Sequence, residues 1–319
     1  MTAEVTPFRP RPQPVVGLVA GGLGAYWPQF PQLLPQLKRS AELVSQRLGQ
    51  FDAEVVDVGF ISDAQDPAQA AEQLRAAGCD LIIMFLTTYM TATMVVPIAQ
   101  RSGAPLLLVN LQPSEAMDHA HFGTGEWLAY CGCCPLPEVA NVFERCGVPF
   151  RSVSGYLSDE RAWERIRRWV GAAAVRKALR DGRHGLMGHL YPGMYDVSTD
   201  LTFVPAMLGG HVEVLEMDDL RVLVDKVTAK EVAGKLEQVR SVFSIDPSVD
   251  AEDLDWAVRV SVGLDHLVDN FALSSLAYYH RGLDGELHER LGAGLILGAS
   301  LLTAAGVPAC GEYELRTSL

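Results

Sequence analysis

Glu312 is the carboxylate best placed to do chemistry. An apolar stretch, Leu295 to Ala305, runs through Gly306-Val307-Pro308 into Gly311-Glu312-Tyr313-Glu314. A short buried strand at 307 to 310 would deliver Glu312 to its carboxyl end, where open α/β sheets gather ligands and reacting groups. A carboxylate there suits general-base work or the ligation of a hard cation; the bland alternative is a surface acid in a turn. A second concentration of chemistry is Gly188-His189-Leu190-Tyr191-Pro192-Gly193-Met194-Tyr195-Asp196-Val197-Ser198-Thr199-Asp200. This loop, dense in polar and aromatic groups, follows a predicted strand directly, and binding residues concentrate in loops held by a rigid scaffold. His189 alone reads more simply as a satisfied strand histidine.

Two features lie nearer the N-terminus. Gly21-Gly22-Leu23-Gly24 after the first predicted strand invites a dinucleotide reading, because such a loop lets backbone N–H groups approach a pyrophosphate. The spacing is not G-x-G-x-x-G, and the bulky Ala25-Tyr26-Trp27-Pro28 follows where a third glycine should allow close packing, which disfavours it. Tyr26 and Trp27 suit stacking on a polar ring such as a sugar, and equally suit packing at a helix start. The cysteines Cys131, Cys133 and Cys134 crowd within four positions, with Cys146 beyond. Zinc sites usually pair two separated knuckles and here there is one, so buried, reduced thiols at a strand–helix junction are expected, without disulfides.

The elements that must position these groups alternate along the chain. Strands are predicted at 15–20, 54–58, 81–86, 105–110 and 150–154, with helices at 28–48, 66–77, 91–101, 137–146 and 158–180. That alternation means a parallel sheet with right-handed crossovers. A break at Asp181-Gly182 opens a second α/β unit. Its predicted strands are 185–190, 212–215 and 307–310, and its predicted helices 198–208, 229–242, 250–279 and 286–305. The fold class is therefore α/β, two doubly wound parallel-sheet domains of flavodoxin- or Rossmann-like three-layer type, spanning residues 1–181 and 182–319.

Composition narrows the function class. With 319 residues and 49% hydrophobic content the chain can bury two cores. A formal charge of −13 argues against a nucleic-acid partner, since phosphate binding draws its affinity from Lys and Arg. The arginine run 161–168 reads as a solvated helix face. No apolar run reaches the roughly 20 residues needed to span a bilayer, and Met1 to Pro14 has no apolar core of signal-peptide length. A cytoplasmic enzyme or binding protein, with no membrane and no nucleic-acid partner, is the expectation.

The order of three segments carries a resemblance: Gly193-Met194-Tyr195-Asp196-Val197-Ser198-Thr199-Asp200, then Leu208-Gly209-Gly210-His211-Val212 with Glu216-Met217-Asp218-Asp219-Leu220, then Gly298 through Leu315. Together they resemble the L-arabinose/L-fucose isomerase family, arabinose isomerases in particular. The resemblance covers residues 185 to 319 well and the N-terminal region mainly in architecture. It implies an aldose–ketose isomerase acting on L-arabinose, L-fucose or a related sugar, with a divalent metal, usually Mn²⁺. In that family two glutamates and histidine hold the ion against two sugar oxygens while carboxylate acid/base chemistry moves a proton between C1 and C2 through a cis-enediol.

Carried over position by position, Glu312 matches the first metal-binding glutamate and catalytic acid/base, and Met194 the sugar-lining methionine. Tyr278 or Tyr279 falls near an aromatic of the site, and Tyr26 matches a tyrosine of the first loop. The family's second glutamate and metal-binding histidine would lie beyond residue 319, in a β-rich C-terminal domain missing from these residues, so the metal site is expected to be incomplete and the chain to look truncated. Leu23 and Gly24 stand where a glutamine is expected, and Cys133 to Glu138 replaces a glutamine–histidine pair, leaving Gln112, His119 and His121 as stand-ins. The resemblance also implies a homo-oligomer with active sites shared between subunits, which would bring Tyr26 to Glu312. The alternative is a sugar-binding or regulatory protein of two α/β lobes without turnover.

Overall fold

The computed structural model describes residues 12–62, 66–281 and 286–319; the proline-rich stretch with Arg9 and Arg11 lies outside them. The chain divides into two compact units, Pro12–Lys177 and Ala178–Leu319.

In the first unit β1 (Val15–Gly21) leads to α1 (Leu33–Leu48), β2 (Glu54–Ile61), α2 (Asp66–Ala76), β3 (Leu81–Leu86), α3 (Ala92–Arg101) and β4 (Leu106–Gln112). Two helices, α4 (Thr124–Leu128) and α5 (Pro135–Arg145), precede β5 (Phe150–Tyr156) and α6 (Glu160–Asp181), whose residues from Ala178 onward belong to the second unit. Among the described residues the strands form a five-stranded parallel sheet in the order β2-β1-β3-β4-β5, the flavodoxin-type order with its switch point between β1 and β3. The period-2 alternation of the strands divides the core. Val16, Leu18, Ile83, Phe85, Leu107 and Val109 meet α1 and α6 on one face. On the other, Val19, Ile82, Met84, Leu106 and Leu108 meet α2, α3 and α5. All six residues of β3 are buried, as a central strand covered by helices on both faces requires.

The first helix begins at Leu33 instead of Pro28. Pro28 and Pro31 bring no backbone N–H to a helical ladder, and the segment from Gly24 to Gln32 is 3₁₀ and turn.

In the second unit β6 (Arg183–Gly188) is followed by α7 (Phe203–Met207), β7 (His211–Leu215), α8 (Met217–Val224), α9 (Ala229–Val242), α10 (Ala251–Asn270), β8 (Ser275–Tyr279), α11 (Leu287–Ala304), β9 (Ala309–Cys310) and α12 (Leu315–Ser318). Its described strands are parallel in the order β7-β6-β8-β9. Met187, Leu215 and Leu276 pack against α8, α10 and α11. The opposite face, with Leu186 and Ala277, is covered by Val204 of the short α7 and by Leu315.

One element departs from the sequence-based expectation in a way that matters. The helix expected over 250–279 stops at Asn270, and Ser275–Tyr279 is a central strand. Phe271 leaves the helix and Ala272 takes a left-handed φ of 53°, a helix-ending conformation. Leu273 to Tyr279 then offers a short apolar run that is buried between β6 and β9. The expected helix over 198–208 shrinks to α7, the strand over 307–310 shrinks to β9, and α8 is an addition to the expected elements.

Candidate functional site

In the first unit the carboxyl edge of the sheet is built by three chain reversals. After β1, the N–H groups of Gly22, Leu23 and Gly24 donate to the carbonyls of Ile61, Tyr89 and Ser62 at 3.0, 3.0 and 3.1 Å. The glycine loop therefore spends its donors internally, and the pyrophosphate reading loses its physical basis. After β3, the Thr87 hydroxyl donates to the Gly21 carbonyl and the Thr88 hydroxyl to that of Leu128, each at 2.7 Å and buried. After β4 and α4, the Cys131–Cys133 turn crosses the ends of β3 and β4 at Gly132, where a Cβ would fall inside 3.0 Å of the Leu86 carbonyl oxygen. Only glycine allows that approach.

The side chains gathered there are Tyr26, Tyr89, Gln112, Cys131, Cys133, Cys134 and Glu138. The Tyr89 hydroxyl donates to Glu138 Oε2 at 2.6 Å, and that bond, followed by burial, raises its pKa. Tyr26 is half-buried, its phenol pushed up by burial and then by the nearby thiols of Cys131 and Cys134. Gln112 Nε2 donates to Asn110 Oδ1 at 2.9 Å. Trp27 is a packing residue: it meets Tyr26 and Phe60 edge-on, and its indole N–H donates to the Ser62 hydroxyl at 3.2 Å. His121 is exposed and paired with Asp118 at 2.6 Å in the loop after β4. Of the crowded cysteines Cys131 is buried but Cys133 and Cys134 are exposed, which corrects the expectation that all are buried. A 460 Å³ cavity beside Trp169, Phe150 and Arg151 lies at the opposite, amino-terminal edge, where β3, β4 and β5 begin.

In the second unit the switch point falls between β6 and β8. Gly188 ends β6 at φ 89°, and a Cβ there would fall inside 3.0 Å of the Tyr279 carbonyl oxygen. That approach lets the His189 N–H donate to the same carbonyl at 3.0 Å. An aromatic and imidazole row follows. Tyr279 packs on Tyr191 with ring centroids 4.5 Å apart and edge-on to His189 at 5.2 Å. His280 is 5.7 Å from His189 and 5.4 Å from His288, and His288 Nε2 lies 3.1 Å from Asp218. The His280 pKa is lowered by burial, then by His288 and His189.

Tyr278, one residue earlier on β8, falls on the other face of the sheet and packs against the core cluster that includes Leu276; burial, then Cys310, raises its pKa. Met194 is half-buried in the loop after β6, its N–H donating to the Tyr191 carbonyl at 3.2 Å. Glu312 is exposed just past β9. The chain turns there instead of continuing as a strand: Glu312 and Tyr313 have φ of 61° and 70°, and the Tyr313 N–H donates to the Tyr278 carbonyl at 3.0 Å. Glu314 consequently shares no strand face with Glu312, and its carboxylate accepts from the Cys310 thiol at 3.7 Å. Adjacent non-glycine residues in the left-handed region are strained, a condition that clusters at functional sites.

Four of the five residues singled out from sequence thus lie at the carboxyl side of one sheet, and Tyr26 lies at the equivalent edge of the other unit's sheet. His280, His288, Tyr89 and Glu138 are additions from the structure. Thr87-Thr88-Tyr89 directly after an all-apolar strand is a readable signal for the N-terminal edge; His280 is hidden as long as Tyr278-Tyr279 is assigned to a helix.

No family model matches the chain. An L-arabinose isomerase from Nocardioides sp. (strain ATCC BAA-499 / JS614) is 24% identical over 246 residues, covering 76% of this chain and 48% of that protein. The chain thus spans about half the length of the curated relative it matches. Among solved structures, an ABC transporter solute-binding protein from Burkholderia multivorans, with an unknown ligand built as α-D-erythrofuranose, is 13% identical with a TM-score of 0.25, covering 93% and 97% of the two chains. A periplasmic solute-binding protein from Actinobacillus succinogenes 130z with bound D-allose is 12% identical with a TM-score of 0.24, covering 95% and 99%. Scores that low do not establish a shared arrangement.

Proposed function

We propose that this chain contributes to an aldose–ketose isomerase acting on a monosaccharide such as L-arabinose or L-fucose, with Glu312 as the acid/base. The observation that carries the reading is the 246-residue match to an L-arabinose isomerase; the strained backbone that fixes Glu312 at a sheet's carboxyl side supports it. Glu312 would take the proton from the carbon beside the sugar carbonyl and return it to the neighbouring carbon. Tyr279 and Tyr191 offer aromatic faces to the apolar side of a sugar.

A divalent cation, Mn²⁺ by the resemblance, belongs to the same proposal. Among the described residues no group of three His, Cys, Asp or Glu is arranged to hold an ion. The described edge therefore does not by itself fit such an ion. The oligomer with shared sites is likewise a proposal.

The test is ketose formation from L-arabinose, L-fucose and D-galactose by the full-length protein with and without Mn²⁺. Metal-dependent turnover is the expected result. The second reading, a sugar-binding or regulatory protein, draws on the aromatic and histidine row at the switch point, which needs no metal to stack a sugar. Calorimetric sugar binding by the full-length protein without any ketose would decide for it.

A further inference from the structure

The three crowded cysteines take no part in the chemistry proposed above, and their geometry is specific. Cys131 and Cys134 have C-x-x-C spacing, and the Cys134 N–H donates to the Cys131 carbonyl at 3.1 Å, which closes one tight turn. Their sulfurs lie 2.9 Å apart. A disulfide needs about 2.0 Å, so bonding requires only a small closing movement within a turn that already aligns the two side chains. Cys134 is exposed and Cys131 buried, so an incoming oxidant reaches one sulfur while the other waits behind it. Burial, then the hydrogen bond to Cys134, pushes the Cys131 thiol up to about 12, keeping it protonated and unreactive toward solvent on its own. Cys133 also adjoins Cys134, but its thiol donates to the Tyr130 carbonyl at 3.4 Å, and the 2.9 Å sulfur approach belongs to Cys131 and Cys134.

We propose that Cys131 and Cys134 are a reversible redox pair that closes an intramolecular disulfide on meeting hydrogen peroxide and reopens with a thiol reductant. The Cys134 sulfur attacks the O–O bond, keeps one oxygen as a sulfenic acid and releases the other as water. The Cys131 sulfur then displaces that oxygen, and its own proton leaves with it as a second water. Two thiols and one peroxide thus give one disulfide and two waters. A dithiol reverses the step by exchange. The bond would form beside Tyr26, whose phenol already responds to both thiols.

The pair stands or falls by thiol chemistry and is independent of the isomerase reading. Reduced chain 1–319, treated with stoichiometric peroxide and then denatured, should lose two of its six titratable thiols and a mass of two hydrogens, with dithiothreitol restoring both. Trypsin should place the change in the peptide spanning 102–145, which contains Cys131, Cys133 and Cys134 and no other cysteine. Cys133→Ser should keep the full loss, and Cys131→Ser and Cys134→Ser should each abolish it. Cross-link mapping on the unmodified protein does not depend on whether the variants fold. Oxygen added to Cys134 without a cross-link, loss abolished by Cys133→Ser, or dimers joined through Cys146 would each overturn the proposal.

Discussion

The residue on which the proposed chemistry rests, Glu312, is also one of the strained ones. Its left-handed backbone costs roughly 1–2 kcal/mol relative to glycine's freedom there, yet the chain sets its glycine one position earlier, at Gly311, and a carboxylate in the turn itself. Replacing Glu312 by glycine should leave stability unchanged or raise it by up to about 1 kcal/mol, measured by urea unfolding. Glu312→Gln in the full-length protein should lower ketose formation by about 10²- to 10⁴-fold, the range for a lost general base; full activity in either variant would remove Glu312 from catalysis. His184 illustrates a buried histidine with a purely structural role. It is 2% exposed, its Nε2–H donating to the Leu179 carbonyl at 3.2 Å and its Nδ1 accepting from the Ser275 hydroxyl at 3.0 Å. Burial lowers its pKa below the ordinary 6.5. The unfolded chain therefore takes up a proton as the pH falls through 6.5 while the folded chain resists, so this stability is complete above 6.5 and is lost progressively below it. Denaturant titrations at about pH 7.5, 6.5 and 5.5, spanning that window, should show a decline that His184→Gln flattens.

At the scale of elements, the switch-point edge depends on two strands meeting at one carbonyl. Gly188 and Tyr279 are distant in sequence and approach only because β6 and β8 are parallel neighbours. Gly188→Ala adds a Cβ against backbone, in a conformation of φ 89° that alanine resists; the expected cost is about 2–4 kcal/mol, read as a lowered unfolding midpoint. A shift below about 0.5 kcal/mol, the usual surface range, would mean the chain relaxes around the clash. The segment 250–279 depends on its neighbours in the same way. Its first twenty-odd residues have amphipathic spacing, and Ser275-Leu276-Ala277-Tyr278-Tyr279 continues it without a proline or glycine. A short apolar run is compatible with buried helix or buried strand. The partners β6 and β9 decide it, and with it whether Tyr279 or Tyr278 meets the aromatic row.

At the scale of the whole molecule, the first unit has a complete core on both faces of its sheet, from α1 and α6 on one side and α2, α3 and α5 on the other. Residues 12–181 expressed alone should therefore unfold in one cooperative transition, by circular dichroism and denaturant; a broad, non-cooperative loss of structure would show that this core depends on the rest of the chain. In the second unit the face away from α10 and α11 is covered among the described residues mainly by α7 and α12, and no equivalent independence is expected of it.

What the sequence determined by itself is the local periodicity: alternating β and α segments, an all-apolar β3, and the loops that follow strands, which together named the fold class and pointed to Glu312 and to the loop that holds Met194, whereas Tyr278 and Tyr279 came only from the family resemblance. These signals are short-range, arising from side-chain patterning within a single element. Tertiary structure alone decided the rest. It spent the donors of the Gly21–Gly24 loop on Ile61, Ser62 and Tyr89, turned Tyr278 to the core, lined up His189, His280 and His288, and buried Cys131 while leaving Cys134 exposed. Apart from the thiol pair, each outcome depends on carbonyls and rings supplied by residues distant in sequence. For the pair, the strand ends decide which thiol is buried, while the closeness of the two sulfurs comes from their own tight turn.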